Sequence, residues 1–446
     1  MASDLDVITH EDLDRARDQL ALSEARSGSG RLRGLRAAWF LLGPGILVFL
    51  GENDAPSMLS YAATGASYGV GFFLPFVLAT FAMGLVVQEM AARIGAVTGR
   101  GHAELIFMRF GPFWGRFAMA DLAVGNLLTL ITEFIGIRAG LGFFGVPPVL
   151  AVGGGVLVVA LAAATSRYWT WERIVLGLAL LNGLFVPVAL LAHPDWGAVG
   201  RALATWSPLP GGLKPDVVTL MVSNIGATVT PWMLFFQQGA VVDKGLQTGD
   251  LRGARLDTLV GAALAALFGL AAIIATAPLY THGISAANFQ AAQFAQALRP
   301  YVGYAGAALF AVGIAAAGLV AAVTISTSSA YAFGEVLRGT HSLNAPMHEG
   351  WRFYGVLLGS AALAGGVVLV PGVPLEFVVL IVNVVATLAM PPALLFLLLL
   401  ANDREVMGSY RNGVGLNAAG VGVTAILVLT GLAYGVTVLF PHLLGG

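Results

Sequence analysis

Cysteine is missing from all 446 residues, so disulfides, thiolate metal ligands and cysteine nucleophiles are excluded at once. Charge is scarce too: only 11% of positions are Asp, Glu, Lys or Arg, and Lys214 and Lys244 are the only lysines. The balance is close to neutral, at −1, and no basic patch exists to hold nucleic acid. No nucleophile with an adjacent base, phosphate-cradling loop or metal-hydrolase motif is visible, which leaves little room for an enzyme. A secretory leader is not expected, because the first 36 residues carry seven acids and six bases with no apolar centre.

Apolar sequence fills the rest. Hydrophobic residues make up 57% of the chain and mean hydropathy is +0.83, values that suit repeated bilayer-length spans rather than a soluble core. Stretches of about 20 apolar residues, the length that crosses a ~30 Å hydrocarbon layer, fall at 37–64, 70–94, 115–141, 147–165, 171–193, 216–243, 254–278, 302–336, 352–371, 374–401 and 414–440. Eleven transmembrane helices are expected after a cytoplasmic tail, 1–36. With the amino terminus inside, 19 basic residues fall on the cytoplasmic side and four, Arg138, Arg201, Lys214 and Arg299, on the other. That asymmetry is the positive-inside pattern, and an odd number of spans then puts the carboxyl terminus outside.

Two of these spans are interrupted near the middle. Gly-Glu-Asn-Asp-Ala-Pro-Ser occupies 51–57, and Gly-Ala-Thr-Val-Thr-Pro-Trp occupies 226–232. Proline removes a backbone donor and disfavours helix for the residue before it, so each break frees carbonyls where lipid offers no partner. Such breaks mark the substrate site of a transporter. They stand five spans apart, which predicts two five-helix halves of opposite orientation, 37–193 and 216–401, with 414–440 appended; the loop from His193 to Asp216 joins them.

Within the first break Glu52 and Asp54 are acids at membrane depth, where an unpaired charge is costly. Asp54 can cap the second half-helix, and the same carboxylate can face a ligand; Ser57 adds a hydroxyl. In the second break Gly226 and Ala227 are small, and Thr228 and Thr230 are hydroxylic. Threonines of this kind also bond to the carbonyl one turn back. A carboxylate, hydroxyls and carbonyls form a hard-oxygen set suited to Mg²⁺, Mn²⁺ or Ca²⁺. His102, His193, His282, His341, His348 and His442 lie in loops or at helix ends and His10 in the tail, so histidine builds no transition-metal site. Asp121 is expected to make an interhelical hydrogen bond, and Glu133 to pair with Arg138 or with another helix.

The second break and its continuation, Gly-Ala-Thr-Val-Thr-Pro-Trp-Met-Leu-Phe-Phe-Gln-Gln, resemble the Gly-Ala-Thr-Val-Met-Pro-His signature of the Nramp divalent-metal transporters. Asp54-Ala55-Pro56-Ser57 stands where that family carries Asp-Pro-Gly-Asn. Ile94 to Glu104, Leu309 to Gly318 and Ala389 to Gly408 are similar as well, so the likeness covers nearly the whole membrane region. It implies a LeuT-type fold, all-α and polytopic, a 5+5 inverted repeat with the first and sixth helices discontinuous. The metal ligands it implies are Asp54, Ser57, Ala227, Thr230 and Asn383, with Gly51, Glu52 and Thr228 as further candidates for ligand or vestibule.

The departures point further. Thr230 replaces the family's metal-binding Met, and Trp232, a candidate gate, replaces the His tied to proton movement. Glu133 matches the family's proton-path Glu, but the accompanying Asp is Leu130 here. These changes are similar to the Nramp-related magnesium transporters. Expected, then, is a monomeric importer of Mg²⁺ or Mn²⁺ in a bacterial plasma membrane, with the metal as substrate, no cofactor, the lipid bilayer as surroundings and weak or no proton coupling. The competing expectation is a permease for an amino acid or organic amine with Asp54 as counter-ion. A membrane enzyme or sensor is a distant third.

Overall fold

The computed structural model describes residues 42–439 apart from 210–211, 213, 285–290, 338 and 374. The expected tail, His10 and His442 lie outside the described residues. Among the described residues all regular structure is helical.

In chain order the α-helices are α1 Pro44–Glu52, α2 Ala55–Tyr68, α3 Phe73–Thr98, α4 His102–Phe110, α5 Pro112–Gly142, α6 Pro148–Ala163, α7 Tyr168–Ala179, α8 Phe185–Leu191, α9 Trp196–Thr205, α10 Pro215–Gly226, α11 Pro231–Asp243, α12 Leu251–Thr281, α13 Ala291–Val336, α14 Trp351–Leu369, α15 Leu375–Asn402, α16 Arg404–Met407 and α17 Val414–Leu439. Nine helical stretches among the described residues are long and apolar enough to cross a membrane. The expected spans that fall short of that length are the split α1/α2 and the 16-residue α6. Three features were not expected. The loop after His193 holds α9; a 3₁₀ stretch, Leu180–Leu184, interrupts the fifth span between α7 and α8; and α13 is two helices meeting at Gly303, whose φ of 70° only glycine adopts without strain.

The two halves each begin with a discontinuous helix. α1/α2, α3, α5, α6 and α7–α8 form the first five-helix unit; α10/α11, α12, α13, α14 and α15 form the second. They interlock, since α12 packs against both α1 and α2, and α13 runs along α5. α17 leans on α15 and α10 at the periphery and buries little of itself.

Both breaks follow from where proline sits. Pro56 has no N–H for the carbonyl of Glu52, four residues back, and Pro231 has none for that of Ala227. Each proline therefore falls in the first turn of a new helix, where a missing donor costs nothing. The first gap is short: Gly51 and Glu52, read as part of the break, stay in α1, and only Asn53 and Asp54 leave the helix. The second gap runs from Ala227 to Thr230. Gly226 lets α10 touch α15, because a Cβ there would overlap the carbonyl of Asn383 and come within 2.6 Å of Thr387 Oγ1. Gly136 does the same for α5 against Ala55. At the start of α1, the Asp257 carboxylate of α12 accepts from the amides of Gly43 (2.8 Å), Gly45 (2.6 Å) and Ile46 (3.3 Å), satisfying donors that every helix start leaves over.

Candidate cation site

The two breaks meet. Thr230 Oγ1 donates to Glu52 Oε2 at 2.7 Å across 178 positions of sequence, and both side chains are buried. Asp54 caps α2, accepting from the Ser57 amide at 2.8 Å, so its carboxylate is held at the mouth of the same break. Glu133 of α5 reaches in as well: its Oε2 accepts from the Ala55 amide at 3.0 Å. It is not paired with Arg138, whose guanidinium instead donates to the carbonyl of Val368 at 3.1 Å. The reason is that Ala55 N–H, freed by the break, is a buried donor that needs an acceptor more than an arginine near a helix end does. Glu52, Asp54 and Glu133 are near enough to feel one another's charge. Among the described residues, though, no three His, Cys, Asp or Glu side chains form a metal cluster, so any cation here relies on hydroxyls and carbonyls as well.

Several polar atoms around the breaks are buried without a well-formed partner: Glu52 Oε1, Asn53 Oδ1, Ser57 Oγ, Glu133 Oε1, Trp232 Nε1 and the amide nitrogen of Asn383. Native interiors leave few such atoms, and a concentration of them at one level of the bilayer signals a ligand or water. A narrow cavity of about 20 Å³ opens beside Thr230, Pro231 and Trp232, between α5 (Leu122, Asn126, Thr129) and α15 (Val382, Ala386). That is room for roughly one water.

The expected site residues do not all arrive as read from the sequence. Thr228 turns its hydroxyl back to the carbonyl of Ile225 (2.9 Å) and finishes α10 instead of facing the break. Gly51 is the contact surface for Trp232 and Thr324 of α13. Trp232 is buried against Phe236, and its carbonyl accepts from Ser328 Oγ at 3.0 Å, so it packs between α11 and α13 while it also lines the cavity. The Ala227 carbonyl, freed by Pro231, already accepts from Tyr61 OH at 2.8 Å, leaving one lone pair for a ligand. Asp121 has no hydrogen-bond partner among the described residues.

Sequence reasoning missed Tyr61 and Asn182. Asn182, on the 3₁₀ stretch, donates to the carbonyls of Leu50 (2.9 Å) and Asn53 (3.2 Å), both left over by the first break. Its signal was a lone amide in the apolar run 171–193. Asn53 was passed over too; its amide donates to the carbonyl of Ala265 on α12 at 2.9 Å.

A bundle of apolar helices that seats buried acids and hydroxyls at two facing helix breaks is a membrane transporter, built around a site where irregular backbone is protected from lipid. Residues 45–437 match the family described as natural resistance-associated macrophage protein-like, Nramp, and the chain belongs to that family. It is 29% identical to a protein of Pseudomonas aeruginosa named divalent metal cation transporter MntH 1, over 85% of this chain and 87% of that one. A divalent metal cation transporter MntH from Ralstonia nicotianae is 30% identical over 83% of this chain and 85% of its own. Among solved structures, a manganese transporter of Eremococcus coleocola superposes with a TM-score of 0.70 at 21% identity, covering 91% of this chain and 87% of that one. MhsT in complex with L-phenylalanine superposes at 0.60 with 16% identity over 88% and 98%. The fold is thus the LeuT-type fold that the family resemblance implied, an inverted repeat as the matched breaks led one to expect.

Proposed function

We propose that this chain imports a hard divalent cation, Mg²⁺ before Mn²⁺, by alternating access around Asp54, in eleven crossings with the amino terminus cytoplasmic and the carboxyl terminus outside. It works as a monomer. The proposed ligands are the Asp54 carboxylate, the hydroxyls of Ser57 and Thr230, the Ala227 carbonyl and the Asn383 side chain. One observation carries this: the hydroxyl of Thr230 in the second break makes a buried hydrogen bond to Glu52 of the first, two residues from Asp54, in a pair of breaks that contain no Met, His or Cys. Oxygen donors alone suit an ion that prefers oxygen and gives up water reluctantly. The names of the relatives support divalent cations as the cargo class.

Weak proton coupling is supported by three residues. Trp232 cannot carry a proton, Leu130 is apolar, and Glu133 already gives one of its two oxygens to the Ala55 amide. Uptake does not need protons on energetic grounds, because two charges falling through 100 mV release about 4.6 kcal/mol. Purified protein in proteoliposomes tests the reading: Mg²⁺ should enter down an imposed potential without internal acidification, and Asp54→Ala should abolish entry. Equal uptake by Asp54→Ala, or no divalent movement by wild type, would overturn it. The amine-permease alternative predicts calorimetric binding of an organic amine instead.

A further inference from the structure

Glu52 is an acid that the ligand set does not use, and it sits where an acid is hard to keep. It ends α1, fully buried, and among the described residues no arginine, lysine or histidine forms an ion pair with it. One of its oxygens, Oε2, accepts from Thr230 Oγ1; the other, Oε1, has no well-formed hydrogen bond, although the Trp232 indole N–H lies near the carboxylate.

Thr230 is equally unusual. It occupies the cap position of α11, where a threonine side chain ordinarily accepts from the first-turn amides, yet it makes no capping bond. Its single proton goes to Glu52 instead. A hydroxyl that donates to a carboxylate is fixed in rotation and becomes a better electron donor, so its lone pairs are left for a ligand. This is the arrangement by which outer carboxylates orient metal ligands. Oε1 completes it, since waters held by a cation are strong donors and require acceptors.

Resting on the cation reading above, we propose that Glu52 is the positioning residue of the site. Through Oε2 it aims the Thr230 hydroxyl at the ion, and through Oε1 it accepts a hydrogen bond from a water the ion retains.

A double-mutant cycle on Mg²⁺ uptake in proteoliposomes tests this. Glu52→Ala should raise KM by about 10- to 100-fold, the usual loss when an outer partner of a metal ligand is removed, and Thr230→Val by at least as much because it removes the ligand itself. Because part of the Glu52 effect runs through Thr230, the KM of the double variant should fall clearly short of the product of the two single effects, with the thermal midpoints of the metal-free variants unrelated to the KM order. Thr230→Ser, which returns the hydroxyl, should recover affinity lost in Thr230→Val only while Glu52 is present. Effects that multiply, or a wild-type KM in Glu52→Ala, overturn the proposal. Should Glu52→Ala not fold, Glu52→Gln keeps the size but removes the charge and the second acceptor; a KM raised about tenfold supports the proposal, and an unchanged KM overturns it. Wild-type vesicles that move no divalent cation sink the underlying reading instead, so the two failures are distinguishable.

Discussion

Gly226→Ala should cripple transport from a position that touches no ion. The added Cβ would overlap the backbone oxygen of Asn383, lie 2.8 Å from its carbonyl carbon and come within 2.6 Å of Thr387 Oγ1. Two of these atoms are backbone and the third is tied to it, because Thr387 Oγ1 is itself hydrogen-bonded to the carbonyls of Val222 (3.0 Å) and Asn383 (3.0 Å). Ordinary carbon contacts need 3.5–4.0 Å, so the end of α10 must back away from α15 by roughly 1 Å. That movement carries the neighbouring Ala227 carbonyl with it and separates it from Asn383. Overpacking of this kind costs about 1–3 kcal/mol of stability, and a ligand misplaced by about 1 Å can cost on the order of a hundredfold in turnover. The assay is Mg²⁺ uptake per folded molecule in proteoliposomes, with the thermal midpoint in detergent measured alongside. Gly359→Ala is the control, since its Cβ would meet nothing within 4 Å. Wild-type uptake by Gly226→Ala would refute the claim that close approach of α10 to α15 builds the site.

Three further perturbations follow from the same contacts. Tyr61→Phe strands the carbonyl of Ala227 and should lower stability by roughly 1–3 kcal/mol, read as thermal midpoint, while raising KM for Mg²⁺ because the carbonyl is no longer aimed. Asn182→Leu leaves two carbonyls of the first break without a donor, so its thermal loss should exceed that of Tyr61→Phe; equal or smaller loss would mean water replaces the amide. His102, at the start of α4 and outside the spans, is buried beside Gln238, and burial pushes its imidazole from the ordinary 6.5 to about 4. The unfolded chain then takes up a proton that the folded one refuses, so stability is full above about pH 6.5 and falls as pH drops toward 4, by up to roughly 3 kcal/mol. His102→Gln should flatten that slope in a pH series of chemical melts.

How much could be read in advance depended on how local each cause is. The breaks were legible because proline and small polar residues interrupt apolar runs, and proline acts within one turn of its own position. Asp54 and Ser57 were legible for the same reason: a cap and its amide lie three residues apart. What lay hidden were partners chosen by tertiary contact. Nothing in the run 171–193 says that Asn182 meets the carbonyls of Leu50 and Asn53, and Tyr61 reads as an ordinary apolar-face aromatic until Ala227 is placed opposite it. Glu133 was read as pairing with Arg138 or with another helix, and it is the second that holds, at the unfilled amide of Ala55. Thr228 and Thr230 look alike in sequence. Only the structure separates the one that finishes its own helix from the one that reaches across to Glu52.

The most direct test is the position of the ion. Crystals soaked in Mn²⁺ and measured at the manganese edge should give one strong anomalous peak within bonding reach of Asp54 and Thr230 oxygens, lost in Asp54→Ala. A peak elsewhere in the bundle, or one that survives in Asp54→Ala, would contradict the account.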